Sequence, residues 1–317
     1  MVMTIVAMTD RDQTMLELLS GYQFLTLERL PLWRERAEAF AAGCGLKGTV
    51  LLAGEGVNFS LFGPRPALDE WLVWLAAQLG ADRPVLNRQA VASSPFLRLK
   101  VRLREEIVTF DPTVQPHADP VGTPVAPADW NALIRREAVQ LVDTRNDYEF
   151  RLGSFEGARN PGTASFTEFK QWCESELDPE RPVAMFCTGG VRCEKASAWL
   201  RSRGYGEVYQ LHGGILGYLE QVPAQQSCWQ GECFVFDDRV SVADDLAPTG
   251  RVVCRGCRLP AEGLNPEGLP PISDQGSCEL CGQGFDAARL GSLRERARQA
   301  RLAAERGESH FGPAAQA

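Results

Sequence analysis

Cysteine carries most of the chemistry this sequence offers. Ten cysteines are spread unevenly over 317 residues. Cys187 opens the loop Cys187-Thr188-Gly189-Gly190-Val191-Arg192, which follows an apolar run at 182–186 and precedes a helical pattern at 194–203. A strand, a glycine-bearing loop and a helix together present a nucleophile well, because loop N–H groups can turn inward onto an anion. Such a field lowers a thiol's pKa and favours the thiolate. On this reading Cys187 is the catalytic centre, and Thr188, Gly189, Gly190 and Val191 supply anion-binding amides. Arg192 closes the loop and adds positive charge. Cys193 comes next in the chain as an accessory thiol or a packing residue. The competing reading makes Cys187 a buried structural cysteine at a strand end.

A second group has metal-ligand spacing. Cys254 and Cys257 are separated from Cys278 and Cys281 by 20 residues, the pattern of a zinc ribbon with four thiolates around one ion. A closed four-thiolate site leaves no open position, so its role would be structural. The alternative is two reduced or disulfide-bonded pairs. Cys228 and Cys233 receive no role from spacing alone.

The elements that position these residues fall into three regions. Residues 1–110 show the order βαββαβ of a ferredoxin-like (acylphosphatase-like) α+β sandwich, with strands expected at 22–27, 48–53, 58–62 and 96–110 and helices at 32–42 and 66–79. A proline-rich linker is expected over 111–128. Residues 129–224 alternate strands and helices, as a parallel α/β sheet does, with Asp129 a candidate helix cap. Residues 225–317 are rich in cysteine, poor in regular pattern, and end in an arginine-rich helix over 290–306. The fold class is α/β multidomain, with a zinc-ribbon-like C-terminal region and a basic helical tail.

Net charge is −8 and the sequence pI about 5.1, which argues against a sequence-blind nucleic-acid coat. Local basic patches can still dock phosphates. Arg98, Lys100 and Arg102, with Arg104, alternate with apolar residues along one expected strand, and Arg294, Arg298 and Arg301 lie along the final helix. Both stripes are candidate RNA contacts; the plainer reading is a solvated face. No apolar stretch is long enough for a membrane helix, and the N-terminus lacks signal-peptide features, so a cytoplasmic protein is expected. No dinucleotide or flavin motif is visible, nor an iron facial triad; His117, His212 and His310 are scattered.

Two motifs upstream of the reactive loop carry a resemblance. Asp143-Thr144-Arg145-Asn146-Asp147-Tyr148-Glu149 resembles the rhodanese DxRxxxE signature, and residues 153–158 resemble its GHIxGA segment, with Ser154 and Phe155 departing from the usual histidine and isoleucine. The loop 187–192 has the six-residue length of sulfur-transferring rhodaneses. The resemblance widens through residues 45–58, 95–102, 186–196, 229–237 and 304–307, where the chain resembles the rhodanese-domain tRNA uridine(34) hydroxylases. One departure is Asn58-Phe59-Ser60, where that family has Asn-Gly-Thr.

This resemblance implies oxygen-dependent formation of 5-hydroxyuridine at the wobble position of tRNA, with O2 as co-substrate, Cys187 as catalytic cysteine and the anticodon loop as partner. The alternatives are a persulfide sulfurtransferase and a non-catalytic RNA-binding module. The sequence leaves open how oxygen is activated, whether Cys187 acts as thiolate, persulfide or sulfenate, which tRNAs are used, and the oligomeric state.

Overall fold

The computed structural model describes residues 15–254, 259–262, 273, 275–279, 282 and 284–306. It divides into two compact units, Met1–Cys233 with Asp244–Leu246, and Phe234–Ala243 with Ala247–Ala317.

The first unit opens with β1 (Leu16–Phe24), α1 (Leu30–Gly43), β2 (Lys47–Ala53), β3 (Gly56–Pro64), α2 (Arg65–Leu79), β4 (Val85–Ala90) and β5 (Leu99–Leu103). The sheet order is β4-β1-β3-β2-β5, the ferredoxin-like arrangement with a fifth strand running parallel to β2. Strand alternation gives the sheet two unlike faces. Leu19, Val50, Leu52, Val57, Phe59 and Leu61 point into a core closed by Ala37 and Ala41 of α1 and Leu68, Trp71 and Leu75 of α2. On the opposite face Ser20 pairs with Ser60 and Asn87, and Tyr22 with Asn58 and Val85, so this face is mostly polar.

β4 was not anticipated from the sequence, because Asn87, Arg88 and Gln89 hide its apolar period. The expected long strand over 96–110 shrinks to β5. Beyond it the chain turns so that the Glu106 carboxylate accepts N–H groups of Phe110 and Asp111. Arg98 and Arg104 therefore lie outside the strand, and only Lys100 and Arg102 remain on it.

The chain continues through β6 (Thr123–Val125), α3 (Pro127–Ile134), β7 (Gln140–Asp143), α4 (Asp147–Phe150), β8 (Gly153–Phe155), a 3-10 turn at Phe166–Glu168, α5 (Phe169–Glu176), β9 (Val183–Phe186), α6 (Val191–Ser202), β10 (Val208–Leu211), α7 (Gly214–Gln221) and β11 (Trp229–Gly231). The sheet order is β6-β10-β9-β7, with all pairings parallel. β7 and β9 are buried along their whole length, as two-sided parallel strands require. The expected linker contributes β6 to this sheet. α3 starts on Pro127, with Ala126 rather than Asp129 at its N-cap, since proline's fixed φ suits the first helical turn. β11 pairs with β8, and Trp229 sits edge-on to Phe155 at 5.3 Å, so this stretch belongs to the first unit.

The second unit holds β13 (Ser241–Val242), which follows β12 (Cys233–Phe234), then β14 (Val252–Val253), β15 (Pro260–Ala261) and α8 (Ala287–Glu305). β14 and β15 form an antiparallel pair. The Cys254 N–H donates to the Leu259 carbonyl at 2.8 Å, and the Gly282 N–H to the Cys278 carbonyl at 2.7 Å.

Candidate active site

Parallel α/β sheets place their functional loops at the carboxyl ends of strands. Here the ends of β7, β9 and β10 meet. Cys187 follows β9 directly. The Thr144 N–H, just past β7, donates to the Phe186 carbonyl at 3.0 Å. Beyond β10, the first turn of α7 donates the N–H groups of Ile215 and Leu216 to the carbonyls of Cys187 and Thr188, at 2.9 and 3.1 Å. Gly214 makes that approach feasible: a Cβ there would stand 2.5 Å from the Cys187 carbonyl oxygen.

The loop is shorter than the sequence reading proposed. Gly190 is the left-handed N-cap of α6 (φ 105°), and Val191 and Arg192 already form the helix's first turn. Only glycine takes this backbone at no steric cost, and a Cβ here would also meet the Tyr22 hydroxyl at 3.0 Å.

Cys187 is 1% exposed. Burial alone pushes its thiol pKa up, but the opposing groups win and bring it down to about 5. These are the Cys193 thiol donating to its sulfur, the Arg192 charge, and the backbone N–H groups of Cys193 and Gly190. The Gly190 nitrogen is 3.1 Å from Sγ. Cys193 is driven the other way by burial and by its thiolate neighbour, so it stays protonated as the donor, 3.5 Å from the Thr144 hydroxyl. The α6 N-terminus adds its dipole to the same point.

The cation is itself fixed in place. Arg192 makes a two-pronged pair with Glu149, both N–O distances 2.7 Å, and reaches the Thr188 hydroxyl at 3.4 Å. Burial would raise the Glu149 pKa, but Arg192 and Arg145 outweigh it and hold the carboxyl below its usual range. Beneath lies a second buried pair. The Arg145 Nε donates to Asp143 Oδ1 at 2.9 Å and Nη2 to Oδ2 at 2.7 Å, while Nη2 also reaches the Gly153 carbonyl at 2.6 Å. The Ser154 hydroxyl donates to Asp143 as well, at 3.1 Å. The DxRxxxE motif thus locks the floor of the loop and aims its one cation.

The ferredoxin-like sheet covers the loop from the other side. The Tyr22 hydroxyl donates to Glu194 Oε2 at 2.8 Å. Burial, reinforced by Glu194, raises the Tyr22 pKa, and burial also raises that of Glu194. Asn87 reaches the glycines beside Cys187. Lys195, fully buried on α6, donates to Glu55 at 2.6 Å and to Glu106 at 2.5 Å.

Of the residues singled out from sequence, Cys187, Thr188, Gly189, Gly190, Val191, Arg192 and Cys193 come together here. Lys100 and Arg102 lie on β5, whose partner residues Thr49 and Leu51 share the polar sheet face; Arg98 is exposed beyond its end. On α8, Arg298 pairs with Glu295 at 2.9 Å and Arg301 with Glu305 at 4.0 Å, so neighbouring carboxylates offset much of that basic stripe; Arg294 is exposed. Cys254 and Cys278 are buried, whereas Cys257 and Cys281 lie outside the described residues. Among the described residues no three metal-ligating side chains cluster. Asp143, Arg145 and Glu149 were legible as a motif without assigned roles. Tyr22 and Asn87 carried no signal in the sequence.

Two family models match the chain: UPF0176 acylphosphatase like domain over residues 16–107, and Rhodanese-like domain over 126–221. A Bartonella bacilliformis protein named tRNA uridine(34) hydroxylase is 46% identical over 303 residues, covering 93% of this chain and 95% of that protein. Among solved structures, a Staphylococcus aureus rhodanese-like domain protein is 23% identical over 30% of this chain and 90% of its own, with a TM-score of 0.27. An acylphosphatase from Coxiella burnetii is 16% identical over 30% of this chain and 100% of its own, with a TM-score of 0.22.

Proposed function

The chain belongs to the tRNA uridine(34) hydroxylase family, and from that we propose that it converts the wobble uridine of tRNA to 5-hydroxyuridine, with dioxygen as co-substrate and Cys187 as the reactive centre. The observation that carries this reading is a buried Cys187 sulfur that accepts the Gly190 N–H at 3.1 Å beside Arg192 and Cys193, contacts that bring its pKa down to about 5, under the polar face of the ferredoxin-like sheet.

In covalent catalysis this thiolate adds to C6 of uracil. The sulfur pair forms the S–C6 bond, and the C5=C6 π pair moves onto C5 and O4. C5 is then a nucleophile toward a peroxide-level oxygen donor, formed from O2 with two electrons and two protons from an external reductant: the C5–O bond forms as the O–O bond breaks, and the second oxygen leaves as hydroxide. Loss of the C5 proton and expulsion of the thiolate restore the ring. Arg192 and the amides of Gly190 and Cys193 favour the anionic sulfur on entry and on departure. A wobble base is reached by splaying it out of the anticodon loop. Lys100 and Arg102, on the polar sheet face, are the cations proposed to meet tRNA phosphates.

A four-cysteine structural zinc site is proposed for Cys254, Cys257, Cys278 and Cys281. Burial of Cys254 and Cys278 supports it. Elemental analysis of purified protein is expected to give one equivalent; less than about half an equivalent would sink the site. No helix among the described residues is long and apolar enough to cross a membrane. We place the protein in the cytoplasm with its tRNA.

The test is nucleoside mass spectrometry of tRNA from cells lacking the gene, complemented with wild type or Cys187→Ser. Loss of 5-hydroxyuridine derivatives, restored by wild type alone, is the expected result. If the nucleosides persist in a strain with no parallel route, hydroxylation is wrong. The same amides could hold a persulfide, so sulfur transfer is the reading to assay next.

A further inference from the structure

One polar group beside Cys187 is not used by the loop. Asn87 projects from β4 on the polar sheet face, paired in register with Ser20. It is 6% exposed, and its Oδ1 is buried with no hydrogen-bond partner. A buried amide oxygen without a donor is costly and rare, and such a group calls for a partner.

Its surroundings are unusually bare. A Cβ built on Gly189 would stand 3.8 Å from Asn87 Nδ2. One on Gly213 would stand 3.5 Å from Oδ1, and one on Gly217 3.3 Å. The amide therefore rests on backbone from two directions: the loop after Cys187 and the first turn of α7. Flanking it, the Tyr22 hydroxyl covers Gly190. One unsatisfied amide oxygen thus lies over the glycines of the loop that Cys187 opens and of the first turn of α7.

We propose that Asn87 reads the Watson–Crick edge of the target uracil: Oδ1 accepts N3–H and Nδ2 donates to O4. This deepens the hydroxylase reading and rests on it. Ring geometry supports the assignment, because the atom directly across the pyrimidine from N3 is C6. A base gripped at N3 by Asn87 carries C6 at its far end, where the Cys187 thiolate adds from above the ring plane. In this amide orientation cytosine, with an acceptor at N3, would set lone pair against lone pair at Oδ1; its recognition needs the opposite orientation, with Nδ2 toward N3. Both Asn87 and Cys187 are covered in this structure, and the proposal requires the Asn87 amide to lift from the glycines beneath it when the base enters.

The test couples a residue change to a substrate atom. Full-length wild type and Asn87→Leu are assayed on the same tRNA carrying uridine or 3-methyluridine at position 34; the methyl removes the N3 donor. Leucine is close to asparagine in size and loses nothing paired, so the thermal midpoint should hold or rise; Asn87→Ala is the smaller fallback. The expected result is a roughly 10- to 100-fold fall in kcat/KM on uridine, the range for one lost base-edge contact pair. Wild type should fall as far on 3-methyluridine, and the variant should show no further fall. The pH profile of Cys187 alkylation should not move. Activity of Asn87→Leu within twofold of wild type, the full methyl penalty persisting in the variant, or a shifted Cys187 titration would each overturn the assignment. Wild type inactive on unmodified tRNA would instead overturn the hydroxylase reading.

Discussion

Replacing Cys193 with alanine removes the first of the groups that oppose burial in setting the Cys187 pKa. Cys193 is wholly buried and protonated, and its thiol donates to the Cys187 sulfur. A hydrogen bond to a charged group contributes about 1.5–3 kcal/mol; sulfur is a weak donor, so about 2 is reasonable. At 1.36 kcal/mol per unit, that moves Cys187 up by about 1.5 units, from about 5 to roughly 6.5. At pH 5.5 the thiolate fraction would drop from roughly three quarters to about a tenth. Thiolate reactivity rises with basicity, so the plateau alkylation rate at high pH should increase about 5-fold. The two profiles therefore cross. The assay is the rate of iodoacetamide alkylation of Cys187 against pH, with peptide mapping to assign the site. Cys193→Ser keeps a donor and should keep the midpoint near that of wild type. A Cys193→Ala midpoint within about half a unit of wild type would refute the argument and leave Arg192 and the amides to set the thiolate alone.

Three further outcomes follow from the same geometry. Lys195→Met strands the carboxylates of Glu55 and Glu106 in a buried site, and urea unfolding should show a loss of about 3–5 kcal/mol; a loss below about 1 would mean that water or a proton neutralises them. The Cys187 pKa is depressed from 9.0 to about 5 on folding, so its stabilisation is complete above pH 9 and gone below pH 5. The stability of wild type relative to Cys187→Ala should therefore climb between those limits, by at most about 1.4 kcal/mol per pH unit, and a flat difference would contradict the low pKa. Lys100→Ala with Arg102→Ala should weaken tRNA binding and lower the slope of log K against log salt by about 0.7–0.9 per lost phosphate contact; an unchanged slope would remove this strand from the RNA interface.

The sequence by itself determined what is local. The apolar run 182–186, the Cys-Thr-Gly-Gly loop and the helix after it were legible because strand period, turn residues and helix propensity act over a few residues. The DxRxxxE motif was legible as a pattern, but its job was not. Only the fold brings Glu149 to within 2.7 Å of Arg192, 43 positions along the chain. The extent of β5 was misread because the apolar–basic alternation of residues 97–104 was carried on to Phe110, whereas Glu105 and Glu106 end it and the Glu106 carboxylate turns the backbone away. β4 was missed because a strand with Asn87, Arg88 and Gln89 at its centre has no apolar period. β6 was hidden in a proline-rich stretch that becomes a strand only through its bonds to β10. Tyr22 and Asn87 mark the limit of reading along the chain. Each is an ordinary residue on a sheet strand, and it becomes part of the site only because long-range packing lays that sheet face over the Cys187 loop. A buried Lys195 between Glu55 and Glu106 pins the same contact, and no local pattern encodes partners 140 and 89 residues apart.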